Sequence, residues 1–241
     1  MERKKIVALN GSPNRNGSTA LLLNWILEGC KQAGAEIELL QISDYDIRYC
    51  QGCYTCLEKG KCPIPDDAQG LKEKLLDADG LVIGSPVYAS RPTAQMKTIM
   101  DRLTLMNLYT RTFGRMPVVG VATSGVAPTG GTARELADFF GSKVGVVGVN
   151  TASLNAAYAP LTEEHYPKQK RKAIRMGQKL VDTVQLPVHA RRKSLKMRWI
   201  DLLWQNFIVR LVLSHPEQFA GVIRTWRNNG MVPVEKLPDL L

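Results

Sequence analysis

Short apolar runs alternate with helix-periodic segments along most of this chain, and that alternation limits the fold more than any other feature. Strand-like runs cover Lys5–Leu9, Glu36–Ile42, Gly80–Gly84, Pro117–Thr123 and Val144–Val149. Segments with helical spacing lie between and after them, at Ser18–Ala33, Gln69–Ala78, Thr93–Leu105, Gly130–Phe140 and Glu163–Val184. Strict alternation of this kind predicts a parallel sheet covered by helices on both faces. Five such strands suit a doubly wound α/β sheet of order 2-1-3-4-5. In such sheets ligands bind beyond the carboxyl ends of the strands, near the switch between strands 1 and 3. The chain has 241 residues, 44% of them hydrophobic, enough for one sizeable core.

Residues 1–185 read as one domain and 186–241 as a helical extension. The extension starts with a basic run (Arg191, Arg192, Lys193, Lys196, Arg198) and continues into the apolar stretch Trp199–Leu213. Such a helix packs on its own domain or on a second copy. An oligomer, homodimer or homotetramer, is therefore expected ahead of contact with a membrane surface. No run reaches the ~18 apolar residues a spanning helix needs. No signal-peptide pattern follows Met1, so the expected compartment is cytoplasmic. The net charge is +10. That balance fits an acidic protein partner. No zinc-finger or RNP pattern is present, so nucleic acid is not the expected partner.

Three loops follow strands 1, 3 and 4. The first, Asn10-Gly11-Ser12-Pro13-Asn14-Arg15-Asn16-Gly17-Ser18-Thr19, joins a strand to a helix with glycines, hydroxyls and amides. Glycines admit a ligand close to the backbone, and the helix start offers free N–H groups, which suits a phosphate. It is neither a Walker A loop nor a Gly-x-Gly-x-x-Gly loop. The plainer alternative is an ordinary turn capped by Ser18. The second loop, Ser85-Pro86-Val87-Tyr88-Ala89-Ser90, offers an aromatic face. The third, Thr123-Ser124-Gly125 with Gly130-Gly131-Thr132, offers backbone amides.

The set Gly11-Ser12-Pro13, Gly17-Ser18-Thr19, Ser85-Pro86-Val87-Tyr88, Gln95-x-Lys97-x-x-x-Asp101-Arg102 and Thr123-Ser124-Gly125 resembles the NAD(P)H-dependent FMN reductases of the flavodoxin superfamily. The resemblance spans roughly residues 4–184 and implies a flavodoxin-like fold. It implies that Ser12, Asn16, Ser18 and Thr19 hold the FMN phosphate, with Asn14 and Gly17 beside them. It implies that Pro86, Val87, Tyr88 and Ala89 line the flavin ring, and that Thr123, Ser124, Gly125 and Gly130 also contact it.

Four of the five cysteines fall within one short stretch, Cys50-x2-Cys53-x2-Cys56-x5-Cys62-Pro63. Crowded cysteines in a reducing compartment point to metal or redox chemistry rather than a disulfide scaffold. Two-residue gaps let successive thiolates wrap one centre, as in iron–sulfur proteins. Zinc, a dithiol redox pair and an empty reduced loop remain alternatives. The spacing resembles the iron–sulfur flavoproteins, a branch of the same superfamily. That resemblance implies a [4Fe–4S] cluster on Cys50, Cys53, Cys56 and Cys62, beside the flavin. Cys30 reads as a buried core thiol. No nucleophile–base pair stands out, and His165, His189 and His215 are scattered, so no catalytic residue is assigned.

The implied function is electron transfer between a reduced carrier, such as ferredoxin, or NAD(P)H and a small-molecule acceptor. A cluster-free NAD(P)H-dependent reductase of flavins, quinones or nitro compounds is the alternative, and a flavodoxin-like carrier a further one.

Overall fold

The computed structural model describes residues 3–151, 161–187, 199 and 204–231. Its contacts divide the chain into two compact units. The first comprises Met1–Asp46, Gly70–Lys97 and Phe113–Arg191; the second comprises Ile47–Gln69, Thr98–Thr112 and Arg192–Leu241.

The first unit holds five parallel strands: β1 (Lys5–Asn10), β2 (Glu36–Gln41), β3 (Gly80–Pro86), β4 (Pro117–Ser124) and β5 (Ser142–Asn150). They pair in the order β2-β1-β3-β4-β5, as the alternation predicts. Burial follows position. β3 and β4 are buried almost throughout, while the edge strands β2 and β5 keep exposed residues. Central strands of a parallel sheet are covered on both faces and so read as continuous apolar runs.

Helices α1 (Ser18–Gln32), α3 (Ala68–Leu76), α4 (Ala94–Thr110), α5 (Gly130–Phe140) and α6 (Pro167–Gln185) alternate with the strands. α3 and α4 straddle the division between units. α1 buries Leu22, Leu23, Trp25, Ile26 and Cys30 against the sheet and α6. Each such large apolar side chain contributes roughly 2–3 kcal/mol when buried. α1 and α6 meet backbone to backbone, for a Cβ on Gly29 would lie 2.0 Å from the Ile174 carbonyl oxygen and one on Gly177 2.0 Å from that of Ile26.

α6 starts at Pro167, four residues later than the apolar pattern suggests. Proline is well placed at a first helical position, where no N–H is needed. The preceding residues form a turn instead, in which Thr162 Oγ1 and His165 Nδ1 lie 2.6 Å apart.

The second unit contains a short helix α2 (Thr55–Lys59), the later turns of α4, a π-helical turn at Trp204–Ile208, and helices α7 (Val209–Ser214) and α8 (Ala220–Asn229). Leu57, Met106, Trp204, Val212, Phe219, Val222, Ile223 and Trp226 form its buried core. Much of the described part of the apolar extension thus packs inside its own unit, although Trp199 and Phe207 stay exposed. The basic run and His189 lie outside the described residues. No described helix is long and apolar enough to cross a membrane.

Candidate functional site

The loops at the carboxyl ends of β1, β3 and β4 are bonded to one another within the first unit. Gly11 N–H donates to the Gly84 carbonyl at 2.7 Å, and Val87 N–H to the Thr123 carbonyl at 2.8 Å. Thr93 Oγ1 donates to the Gly11 carbonyl at 2.6 Å. The buried hydroxyls of Thr19 and Thr123 share a hydrogen bond of 2.6 Å.

The first loop is shaped by its own short polar side chains. Asn10 is buried and donates to Gln41 Oε1 at 2.7 Å, while its Oδ1 accepts the Ser12 N–H at 3.0 Å. Ser12 Oγ accepts the Asn14 N–H at 3.1 Å, and Asn14 Oδ1 accepts the Asn16 N–H at 3.0 Å. Such contacts two residues along mimic backbone turns and fix a loop without regular structure. Gln41 Nε2 then donates to the Ser12 carbonyl at 2.6 Å.

Gly17, not Ser18, is the N-cap of α1, and it makes no side-chain capping bond. Ser18 lies within the helix, where its hydroxyl accepts the Leu161 N–H at 3.2 Å. No acidic residue occupies the first turn. An uncapped helix start keeps free N–H donors and partial positive charge for an anion. Arg15 is paired with Asp44, so its charge is committed to that carboxylate.

The second loop is a tight antiparallel turn. Tyr88 N–H donates to the Arg91 carbonyl at 2.9 Å and Arg91 N–H returns the bond at 3.0 Å. Ala89 and Ser90 between them have φ of 48° and 64°. Two successive left-handed residues are the geometry of a type I′ turn, usually made by Asn-Gly, and strain of this kind gathers at functional sites. The Tyr88 ring is exposed. In the third loop Thr123 and Ser124 are nearly buried, and the Ser124 carbonyl accepts the Thr151 N–H at 2.8 Å. Gly130 opens α5, with nothing near the position a Cβ would take.

The four clustered cysteines belong to the second unit. Cys50 and Cys53 are exposed, Cys56 and Cys62 partly buried, and all are free thiols. Together they line a concavity shared with Tyr54, Asp101, Arg102 and Leu105. Among the described residues no three His, Cys, Asp or Glu side chains converge tightly enough to hold a single metal ion. Thiolates around one zinc would lie about 3.8 Å apart, since Zn–S is about 2.3 Å. The backbone bends through Gly52, Tyr54 and Gly60, with φ of 64°, 59° and 80°.

Arg102 and Asp66 form a fully buried ion pair in this unit. Asp66 also accepts the Arg48 N–H at 2.9 Å and the Ala68 N–H at 3.1 Å. Burial opposes its ionisation, but the Arg102 guanidinium and these two N–H groups outweigh it and hold its carboxyl below the usual carboxylate range. Arg102 Nη2 donates to Cys62 Sγ at 3.3 Å, and Nη1 to the Arg48 carbonyl at 2.8 Å. Its Nε is buried without a partner among the described residues. Burial raises the Cys56 thiol, with the neighbouring cysteines adding to the effect, whereas hydrogen bonds from Thr55 lower exposed Cys53.

Neither Asp66 nor Arg102 is a site residue by sequence alone. A signal for Arg102 was present, since it takes the middle of an otherwise apolar stripe, Ile99, Arg102, Leu103, Met106. A charge at such a position is buried and must be paired.

A second clamp reaches the cysteine loop from α8. A Cβ on Gly221 would lie 2.1 Å from the Gly60 nitrogen, so the two backbones touch. Arg224 Nη2 donates to the Glu58 carbonyl at 2.9 Å, a cation at the carboxyl end of α2. The indole N–H groups of Trp204 and Trp226 donate to the Leu108 and Tyr109 carbonyls at 3.1 and 2.8 Å, satisfying the end of α4.

A doubly wound sheet of this order, with an uncapped helix start and three joined loops at the strand ends, defines the flavodoxin-like class of mononucleotide-binding proteins. Residues 4–160 match the NADPH-dependent FMN reductase family, and the chain belongs to that family as an FMN-dependent oxidoreductase. Its relatives fall in the iron–sulfur flavoprotein branch. An iron–sulfur flavoprotein of Methanocaldococcus jannaschii is 35% identical over 139 residues, covering 56% of this chain and 71% of that protein. One from Archaeoglobus fulgidus is 26% identical over 228 residues, covering 95% of this chain and all of that protein (100%). Among solved structures, RosB with a bound 8-demethyl-8-formylriboflavin 5′-phosphate intermediate has the same fold. Its TM-score is 0.61 at 17% identity, over 84% of this chain and 87% of that chain.

Proposed function

We propose that the protein passes electrons between a two-electron donor or acceptor at FMN and one-electron carriers through a [4Fe–4S] cluster on Cys50, Cys53, Cys56 and Cys62. The observation that carries this reading is the thiol-lined concavity with a buried guanidinium at its wall. Four thiols spread around a hollow suit a multi-atom body, and an unpartnered buried N–H suits sulfur-rich acceptors. The relatives named iron–sulfur flavoproteins support it.

When bound, FMN supplies hydride-level chemistry and a cluster supplies single-electron steps. The chain's part is to hold them. On this reading Ser12, Asn14, Asn16, Gly17, Ser18 and Thr19 surround the FMN phosphate at the start of α1. Pro86, Val87, Tyr88 and Ala89 support the ring, and Thr123, Ser124, Gly125 and Gly130 meet its polar edge. An acidic carrier such as a ferredoxin is the proposed partner, matched to the +10 charge.

A cluster-free reductase using NAD(P)H is the second reading, favoured by the family match itself. Anaerobic purification followed by an absorption spectrum and iron and sulfide analysis separates the two. Flavin bands with a broad near-400 nm shoulder, iron and sulfide support the cluster. Flavin alone, persisting after reconstitution with iron and sulfide, overturns it. Bleaching by NADPH identifies a nucleotide donor, and bleaching by reduced ferredoxin alone identifies a carrier.

A further inference from the structure

We propose that Arg102 positions the cysteine site and sets its reduction potential, through a directed hydrogen bond to Cys62 and a second N–H left for the sulfur-bearing group that the concavity takes. This inference rests on the cluster reading above.

Several observations point the same way. Arg102 is almost fully buried, with 1% of its side chain exposed, yet one of its N–H groups has no acceptor. Buried donors are rarely left unpaired, and such a group signals an acceptor that completes the site. The side chain cannot swing away to find one. Asp66 grips both terminal nitrogens, and the Arg48 carbonyl takes a further bond from Nη1. Asp66 is itself fixed by the N–H groups of Arg48 and Ala68. The guanidinium is therefore pre-oriented, with Nη2 on Cys62 Sγ at 3.3 Å.

The charge of Arg102 is balanced by Asp66, so the pair has no net charge to exert at a distance. Its influence on the cysteine site is that of directed N–H···S bonds at contact. Hydrogen bonds to cluster sulfurs stabilise the more negative, reduced state, because extra electron density falls partly on sulfur. Removing them lowers the potential. Lysine keeps the charge but has no planar fork, so it cannot serve Asp66 and Cys62 together.

The test uses the full-length protein, reconstituted anaerobically with iron and sulfide, in three forms: wild type, Arg102→Lys, and the double variant Arg102→Met with Asp66→Asn. The double variant avoids burying an unpaired carboxylate, and Asn keeps an oxygen for one of the two N–H groups, of Arg48 and Ala68, that bond the separate Asp66 oxygens. The readout is the cluster midpoint potential by dye-mediated titration, with iron, sulfide and FMN content alongside. The inference predicts that at a fixed ambient potential the reduced-to-oxidised ratio falls about tenfold in the double variant, ~59 mV for a one-electron couple. Arg102→Lys falls between, and supplies the measurement should the double variant not fold. A folded, FMN-replete double variant that fails to load also supports a positioning role. Full loading with unchanged potentials in both variants overturns the inference and leaves the cluster reading intact. Failure of the wild type to load overturns both.

Discussion

The flavin loops and the cysteine loop are held in different ways. In the first unit the β1 loop is shaped by contacts two residues apart, from Asn10 to Ser12 to Asn14 to Asn16. In the second unit the cysteine loop is held by distant residues, with Arg102 reaching Cys62 and Gly221 resting on Gly60. Further restraints on the β1 loop, from Gln41, Gly84, Thr93 and Thr123, all belong to the first unit. Remote restraint ties the cysteine loop to the packing of α4 and α8. Damage to the second unit should therefore remove the cysteine site while sparing the flavin site.

The most damaging test is Gly221→Val. Backbone lies on both sides of this contact, so neither can yield, and overpacking plus lost core contacts cost about 3 kcal/mol or more. The expected outcome is faster proteolysis at α8 and α2, loss of iron, and normal FMN content. Co-loss of FMN would show that the two regions are not separately held.

The converse is Thr19→Val, which leaves the Thr123 hydroxyl without its buried partner. Leaving such a group unsatisfied costs roughly 1–3 kcal/mol. FMN affinity should fall about tenfold, read by flavin fluorescence titration, with iron content unchanged.

A smaller effect concerns pH. Asp66 is held below its ordinary value in the fold, so its contribution is complete above the unfolded carboxyl value of 3.8 and is lost as pH falls through the lower folded value. Urea midpoints of the second unit should therefore show no loss from this pair between neutrality and about pH 5, then a fall on further acidification that Asp66→Asn abolishes.

The smallest effect concerns Cys30. Burial pushes its thiol up to about 12, and it donates to the Gly177 carbonyl at 3.4 Å. In apoprotein, alkylation followed by peptide mapping should modify Cys50 and Cys53 readily and leave Cys30 untouched until the fold is denatured.

Much of the sheet was legible because each strand is a short apolar run and each helix keeps its period. α5 matches its expected range, Gly130–Phe140, and the strands differ by one or two residues at their ends. α8 was not legible. Asn228-Asn229-Gly230 reads as a turn, whereas the two asparagines are the last residues of a helix and Gly230 is its left-handed stop. α2 escaped for a related reason, being five residues long between the left-handed Tyr54 and Gly60. The cysteines announced themselves by spacing, whereas Arg102 and Gly221 lie far from them in sequence and are joined to them only by tertiary packing, and Asp66, four residues after Cys62, is marked out only by its pairing with Arg102.

The most direct test of separate cofactor sites is the iron-to-FMN ratio in wild type and Cys62→Ala, purified and reconstituted in parallel without oxygen. The account predicts about four iron and four sulfide per FMN in wild type, and full FMN with the cluster lost in the variant. Flavin and iron lost together, or a wild type that carries flavin and takes up neither iron nor sulfide, would contradict it.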